Sequence, residues 1–323
     1  MNKTKLIFVL LTSLALGACS NSDDDELTPQ QPKSYPMTIE VTENPMVQVG
    51  KAESRPTRAA ITTTSAFTRF NMDYKYSSTG SDGTSPETAT KDLEGKWSGG
   101  SWPGDAVSSN AEVTWYAYTG GTFNFNGGTP YIDFTVDENA TTQKDLLVAT
   151  ASGTYSGTGG KLSFTFDHAC SALRFYVKKS TNINDKTLTV SSIVLKNVIK
   201  DGKYYYGTQS WTLGTTSTDY TLLSSSQTLA SDSYVLLNGS EDDSYLFLIP
   251  QTLTAWNPSG ALSNTYLEVT CTITNTSTST QVYSGTAYIP FAATFEKGTK
   301  YDVKINIGKN SLYSGTDTKI IGD

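Results

Sequence analysis

The sequence has a single histidine, three cysteines and four methionines among 323 residues, and only 17 % of its residues are charged. One histidine cannot supply the several imidazoles of a typical zinc centre, and the cysteines show neither Cys-x-x-Cys redox spacing nor a His/Cys zinc pattern. Any Ser-His-Asp or Cys-His scheme would have to use His168, which stands in phase with Leu162, Phe164 and Phe166 and reads as a core residue. The acidic "SEDDS" (240–244) lacks the spaced oxygen ligands of a calcium loop and reads as a turn. Basic clusters are missing too. With a net charge of −7 the chain cannot neutralise a run of phosphates, which excludes nucleic acid as a partner. No catalytic, metal or cofactor motif is legible, so the chain does not read as an enzyme.

Long hydrophobic runs are equally scarce. The one candidate, from Leu6 to Leu16, is well short of the roughly 20 residues that span a bilayer. It follows Lys3 and Lys5 and ends in Leu16-Gly17-Ala18-Cys19, small residues before a cysteine that fit lipoprotein processing. Residues 1–18 are therefore expected to be a signal peptide and Cys19 the lipidated first residue of the mature chain. Residues 19–34 carry the acidic "SNSDDDE" and almost nothing apolar, as a flexible tether would.

What the chain has instead is a period of two. "YPMTIEV" aligns Met37, Ile39 and Val41, "FTRFNMDYKY" aligns Phe70, Met72, Tyr74 and Tyr76, and "KLSFTFDH" aligns Leu162, Phe164, Phe166 and His168. The same alternation recurs at Leu267, Val269, Cys271 and Ile273, and at Val303, Ile305 and Ile307. Such segments are strands with one buried and one wet face, and no stretch keeps a 3.6-residue period over three turns. The fold class is all-β, in antiparallel sandwiches. The polar stretch "KKSTNINDK" (178–186) suggests a boundary, giving domains over 59–180 and 181–323. Cys170 and Cys271, one in each, read as buried free thiols. Trp97, Trp102, Trp211 and Trp256 read as core or lid residues, with stacking on sugar rings as the sharper alternative.

The cationic residues are unevenly chosen. Only four of 24 are arginine, and Arg55, Arg58 and Arg69 fall together around "AESRPTRAAITTTSAFTRF" (52–70). An exposed Arg58-Ala59 bond suits an Arg-specific protease. Arg55 precedes Pro56, whose ring restrains the bond on both sides, and Arg69 is expected within a strand ladder. Residues 35–58 upstream are strand-like, which is unusual for a discarded linker; such a segment could cover a sticky sheet edge.

Six segments in order, "TRAAITT" (57–63), "VTWYAY" (113–118), "KDLLVAT" (144–150), "LSFTFDHACSALRFYV" (162–177), "LFLIPQTL" (246–253) and "FEKGTKYDVKINI" (295–307), resemble the fimbrillin family of Bacteroidales, the type V pilins. The acidic run after Cys19 resembles the surface-export signal of Bacteroidetes lipoproteins. The resemblance implies two tandem transthyretin-like sandwiches, export as an outer-membrane lipoprotein, and removal of the N-terminal segment by a trypsin-like protease. It implies other pilin subunits as partners, each supplying a strand to the vacated groove, and no cofactor. The tail after "YDVKINI" is the expected donor. A tip or anchor adhesin of the same fibre, or a surface glycan-binding lipoprotein, are the alternative roles.

Overall fold

The two-residue alternation becomes strand throughout the described chain, joined by turns and loops, over residues 35–49, 67–76, 86–126, 128–238 and 245–321 of a computed structural model. Among these residues helix is confined to Gly104–Ser109, Tyr155–Thr158 and the 3-10 turn Thr181–Ile183. None is long and apolar enough to cross a membrane.

The first sheet closes on itself. Its order is Thr38–Glu43, Lys161–His168, Leu147–Gly153, Val113–Tyr118, Arg69–Tyr76, Glu87–Lys91 and Trp97–Ser98, and Trp97 returns to Ile39. Inward residues of each strand, among them Phe70, Met72, Val113, Trp115, Phe164 and Phe166, fill one core. Its aromatic centre is tight: Phe70 and Phe67 each lie 5.0 Å from Phe166, ring centre to ring centre. Edge-to-face and offset pairs at such distances add to the apolar burial.

The second core lies between two sheets. One places Val235–Leu236, Ser171–Lys179, Thr299–Ile307 and Val47–Gln48 side by side, with Leu246–Leu248 also on Ser171–Lys179. The other runs Ser217–Leu223, Lys186–Ile199, Tyr266–Asn275 and Gln281–Pro290. Phe175, Leu188, Val269, Ile273 and Ile307 meet between them, and Cys271 is buried there as a free thiol. A third, four-stranded sheet joins Thr122–Asn126 and Thr129–Thr135 to Asp201–Tyr205 and Ser210–Leu213. Behind it Tyr118, Ile132, Cys170, Tyr204 and Phe247 form a smaller cluster, with Cys170 the second free thiol.

The all-β class holds, and most pairs are antiparallel. Three are parallel: Thr38–Glu43 with Lys161–His168, Ser171–Lys179 with Thr299–Ile307, and Val47–Gln48 with Thr299–Lys300. Alternation cannot reveal this, because side chains repeat every two residues in either direction. The C-terminal tail folds back. Leu312 is fully buried, Ile321 nearly so, and Tyr313 exchanges two 2.9 Å backbone hydrogen bonds with Tyr288.

Candidate functional site: the slot filled by the leading strand

Cys19, Arg55, Arg58 and Ala59 lie outside the described residues, as do the expected signal peptide and tether. What is described is the strand-like segment between the tether and the arginines, and it occupies a slot in the barrel. Met37 and Ile39 are buried, Val41 is half-buried, and all three point into the aromatic core. Burying one such side chain is worth about 1.5–3 kcal/mol, so the leading strand is held chiefly by its apolar row.

Its outward row is matched just as regularly. Glu40 meets Lys161 Nζ at 2.6 Å and accepts from Ser163 Oγ at 3.3 Å. Thr42 and Thr165 hydroxyls are 3.0 Å apart, and Asn44 Nδ2 donates to Asp167 at 2.7 Å. These exposed pairs follow from the in-register ladder, Thr38 opposite Lys161 through Glu43 opposite Phe166. Each contributes little on its own.

The opposite side of the slot is a narrow seam. There the leading strand pairs only at Ile39 with Trp97, flanked by an isolated bridge between Pro36 and Ser101. Gly99 and Gly100 turn the chain away after Trp97–Ser98. Gly99 has φ +118° and a Cβ there would sit 2.2 Å from the Thr88 carbonyl oxygen, and Gly100 has φ +78°, so both turn positions favour glycine.

Beyond Glu43 the segment continues to the sheet that holds Thr299–Ile307. Val47 N–H donates to Gly298 at 2.9 Å and Val49 N–H to Lys300 at 3.1 Å, beside the C-terminal strand. Val47 is 67 % and Val49 52 % exposed. One N-terminal segment thus lends a strand to each of two sheets, which the sequence pattern did not reveal.

His168 sits where the inward row ends. Its side chain is 4 % exposed; Nδ1 is bonded to the Asp145 carboxylate and Nε2 lies 3.1 Å from Glu43 Oε1. Asp145 also accepts the Cys170 N–H at 3.2 Å. Burial opposes a charge on this imidazole, but the hydrogen bonds to Asp145 and Glu43 outweigh it and raise its pKa to about 9. The reading of His168 as a core residue is right about burial and incomplete about chemistry. Glu43 was legible as the next inward position after Ile39 and Val41; Asp145, on another strand's approach, was not.

The remaining candidates fall in place as follows. Arg69 has its backbone in the ladder with Thr90, whereas its side chain is exposed rather than buried, because Phe70 takes the inward position. Trp97, Trp102 and Trp256 are buried, and Trp102 Nε1 donates to Gly160 at 3.1 Å. Among the described residues no group of His, Cys, Asp and Glu is arranged to hold a metal ion.

The model of the family described as fimbrillin-like matches residues 57–320. Among solved structures, a fimbrial protein from Bacteroides vulgatus is similar at a TM-score of 0.56 and 18 % identity, over 87 % of this chain and 97 % of that one. The fimbrial anchor protein Mfa2 from Porphyromonas gingivalis aligns at a TM-score of 0.36 and 11 % identity, over 84 % and 90 % respectively. No curated protein matches the sequence. The family match spans both cores and stops one residue short of the buried tail residue Ile321, and the chain belongs to the fimbrillin-like family.

Proposed function

We propose that the chain is a structural subunit of an adhesive surface fibre, made as a lipoprotein at Cys19 and matured by an Arg-specific protease cutting after Arg58. Other subunits, that protease and, before maturation, the outer membrane are its partners. One observation carries the reading: a strand that closes the barrel lies entirely upstream of Arg58, between one long ladder and a short seam of one ladder pair and one isolated bridge. Arg58 falls midway between Val49 and Phe67, the described residues on either side. Cutting there leaves the leading segment attached by non-covalent contacts alone. Its departure bares Phe164 and Phe166 along an unpaired sheet edge, and a strand from a neighbouring subunit restores both burial and hydrogen bonds.

The two-domain division at 180/181 belongs to this reading, with the chain passing from one core to the other a little earlier, between His168 and Ser171. Lys161–His168 stays in the barrel, whereas Ser171–Lys179 pairs with Thr299–Ile307 in the other core.

A second reading, a tip or anchor subunit, is favoured by the tail. Leu312 and Ile321 are packed in their own core, so donating this tail would require withdrawing both. The test for the leading reading is the N-terminal sequence of protein recovered from cells, with trypsin applied to the full precursor in parallel. Both should begin at Ala59, and Arg58→Ala should retain the lipid. Mature protein that begins at Cys19 refutes the maturation scheme.

A further inference from the structure

The slot discriminates among strands by more than apolar fit. We propose that His168, held by Asp145, fixes the register of any strand seated in the slot, by requiring a carboxylate where the leading strand has Glu43. This rests on the exchange reading above.

The argument is one of register. Shifting a strand by one residue turns its apolar row outward, and burial alone forbids it. A two-residue shift keeps the apolar row inward, trading Met37, Ile39 and Val41 among the inward positions, so apolar burial alone cannot reject it strongly. His168 can, because the same shift places Val41 or a residue beyond Glu43 against Nε2. That leaves a buried imidazolium with one partner lost, a cost set by desolvation rather than by surface pairing. The exposed Lys161–Glu40 pair repeats the same register in water, where it discriminates weakly.

The charged groups facing His168 are Glu43 from the leading strand and Asp145 from the segment before Leu147–Gly153. Nearby, Asp167 is turned to Asn44, and burial keeps the Cys170 thiol neutral. Asp145 therefore orients the ring and Glu43 is the exchangeable partner. With its pKa raised in the folded chain, the imidazolium's contribution is complete below about 6.5, the ordinary histidine value, and is lost as pH rises through about 9.

The test uses the full chain carrying a site-specific protease sequence inserted between Val49 and Phe67, so that nicking does not depend on Arg58. Labelled peptide 35–49 is then exchanged into the nicked protein. At pH 7 the natural peptide should bind about tenfold more tightly than its Glu43→Leu form, with Glu43→Gln between them. That preference should fade above pH 9, and should vanish in a His168→Leu body. His168→Gln, which keeps a donor, should retain part of the preference and lose its pH dependence. Equal binding of Glu and Leu peptides to the unaltered body overturns the proposal, as does a preference that survives in His168→Leu. If no peptide enters, the exchange reading of the slot falls, and His168 is judged in the intact chain. There the Asn44 amide, bonded to Phe166 O, should be less protected from hydrogen exchange in Glu43→Leu at pH 7, with the gap closing as pH rises past 9. A gap independent of pH overturns the role of His168 by itself.

Discussion

The leading strand Thr38–Glu43 lies parallel to Lys161–His168, and the C-terminal strand Thr299–Ile307 lies parallel to Ser171–Lys179. The two internal strands are consecutive in the chain, joined only by Ala169 and Cys170. Each terminal strand has one long neighbour and one short one: a single pair at Trp97 for the first, and two pairs at Val47–Gln48 for the second. Their anchoring differs. The C-terminal strand runs on into Leu312, fully buried, and is covalently part of its core throughout. The leading strand ends its apolar row in Glu43 and then leaves for the arginine-bearing segment. Similar geometry thus gives one strand continuous with a buried tail and one whose apolar row stops at Glu43.

The harshest way to break this comparison is to hollow out each core. Phe164→Ala in the barrel and Phe175→Ala in the sandwich both remove fully buried rings, and each should cost about 3–5 kcal/mol. Because the cluster around Tyr204 and Phe247 draws on strands of both, Val148 from the barrel and Ala172 from the sandwich among them, both variants should shift one shared thermal transition. Two transitions, each moved by only one variant, would show that the cores are energetically separate.

A matched pair sharpens it. Ile39 and Ile305 are 6 % and 8 % exposed, on corresponding parallel strands. Truncation to alanine should cost about 2–3 kcal/mol at each, toward the low end for buried isoleucine, because each strand has only a short neighbour on its far side. The consequences should differ. Ile305→Ala should lower global stability, whereas Ile39→Ala should act largely by releasing the leading strand, seen as faster proteolysis between Val49 and Phe67 with the body intact. Equal global destabilisation with no local release would remove the distinction between the two strands.

The tail offers a smaller contrast. Leu312→Ala should leave the barrel untouched and expose the segment after Ile307 to protease, at a cost of about 2 kcal/mol. A tail that stays protected would mean that the Tyr313–Tyr288 backbone pair, not Leu312, holds it.

Much of this was legible beforehand, and the reason is periodicity. Phe70, Met72, Phe164 and Phe166 are inward as their alternation requires, and Cys170 and Cys271 are buried free thiols as their apolar neighbours imply. Strand direction was not legible, since parallel and antiparallel strands share one period. Nor was the closing seam, because Ile39 and Trp97 are distant in sequence and their single pair depends on Gly99 and Gly100 bending the chain. The site followed the same rule. Glu43 lay in phase and could be found, whereas Asp145 reaches His168 from a loop with no period to betray it. The sandwich boundary suggested at 178–186 followed a polar break in the sequence. Yet strands on both sides of 180/181 share the sheet that joins Thr129–Thr135 to Asp201–Tyr205.

The smallest expected effect concerns Asp73, a buried acid on the face of Arg69–Tyr76 turned away from the aromatic core. Asp73 breaks the alternation of Arg69–Tyr76: it is 5 % exposed although its neighbours Met72 and Tyr74 set the opposite phase. Tyr118 donates its hydroxyl to Asp73 Oδ2 at 2.9 Å, but burial dominates and raises the Asp73 pKa. A carboxyl raised on folding binds its proton more tightly in the native state. Its charge therefore lowers stability as pH climbs from the ordinary carboxylate range through that raised value, and the penalty is constant beyond it. Asparagine keeps an acceptor for Tyr118 and carries no charge. Asp73→Asn should raise Tm at pH 7 by on the order of 2 °C, with the gain shrinking toward zero near pH 4. Tyr118→Phe should do the reverse, leaving the buried carboxylate without its donor and lowering Tm at pH 7 more than at pH 4. A lower Tm for Asp73→Asn at pH 7 would mean that the hydrogen bond from Tyr118 to a charged carboxylate outweighs the cost of burying that charge.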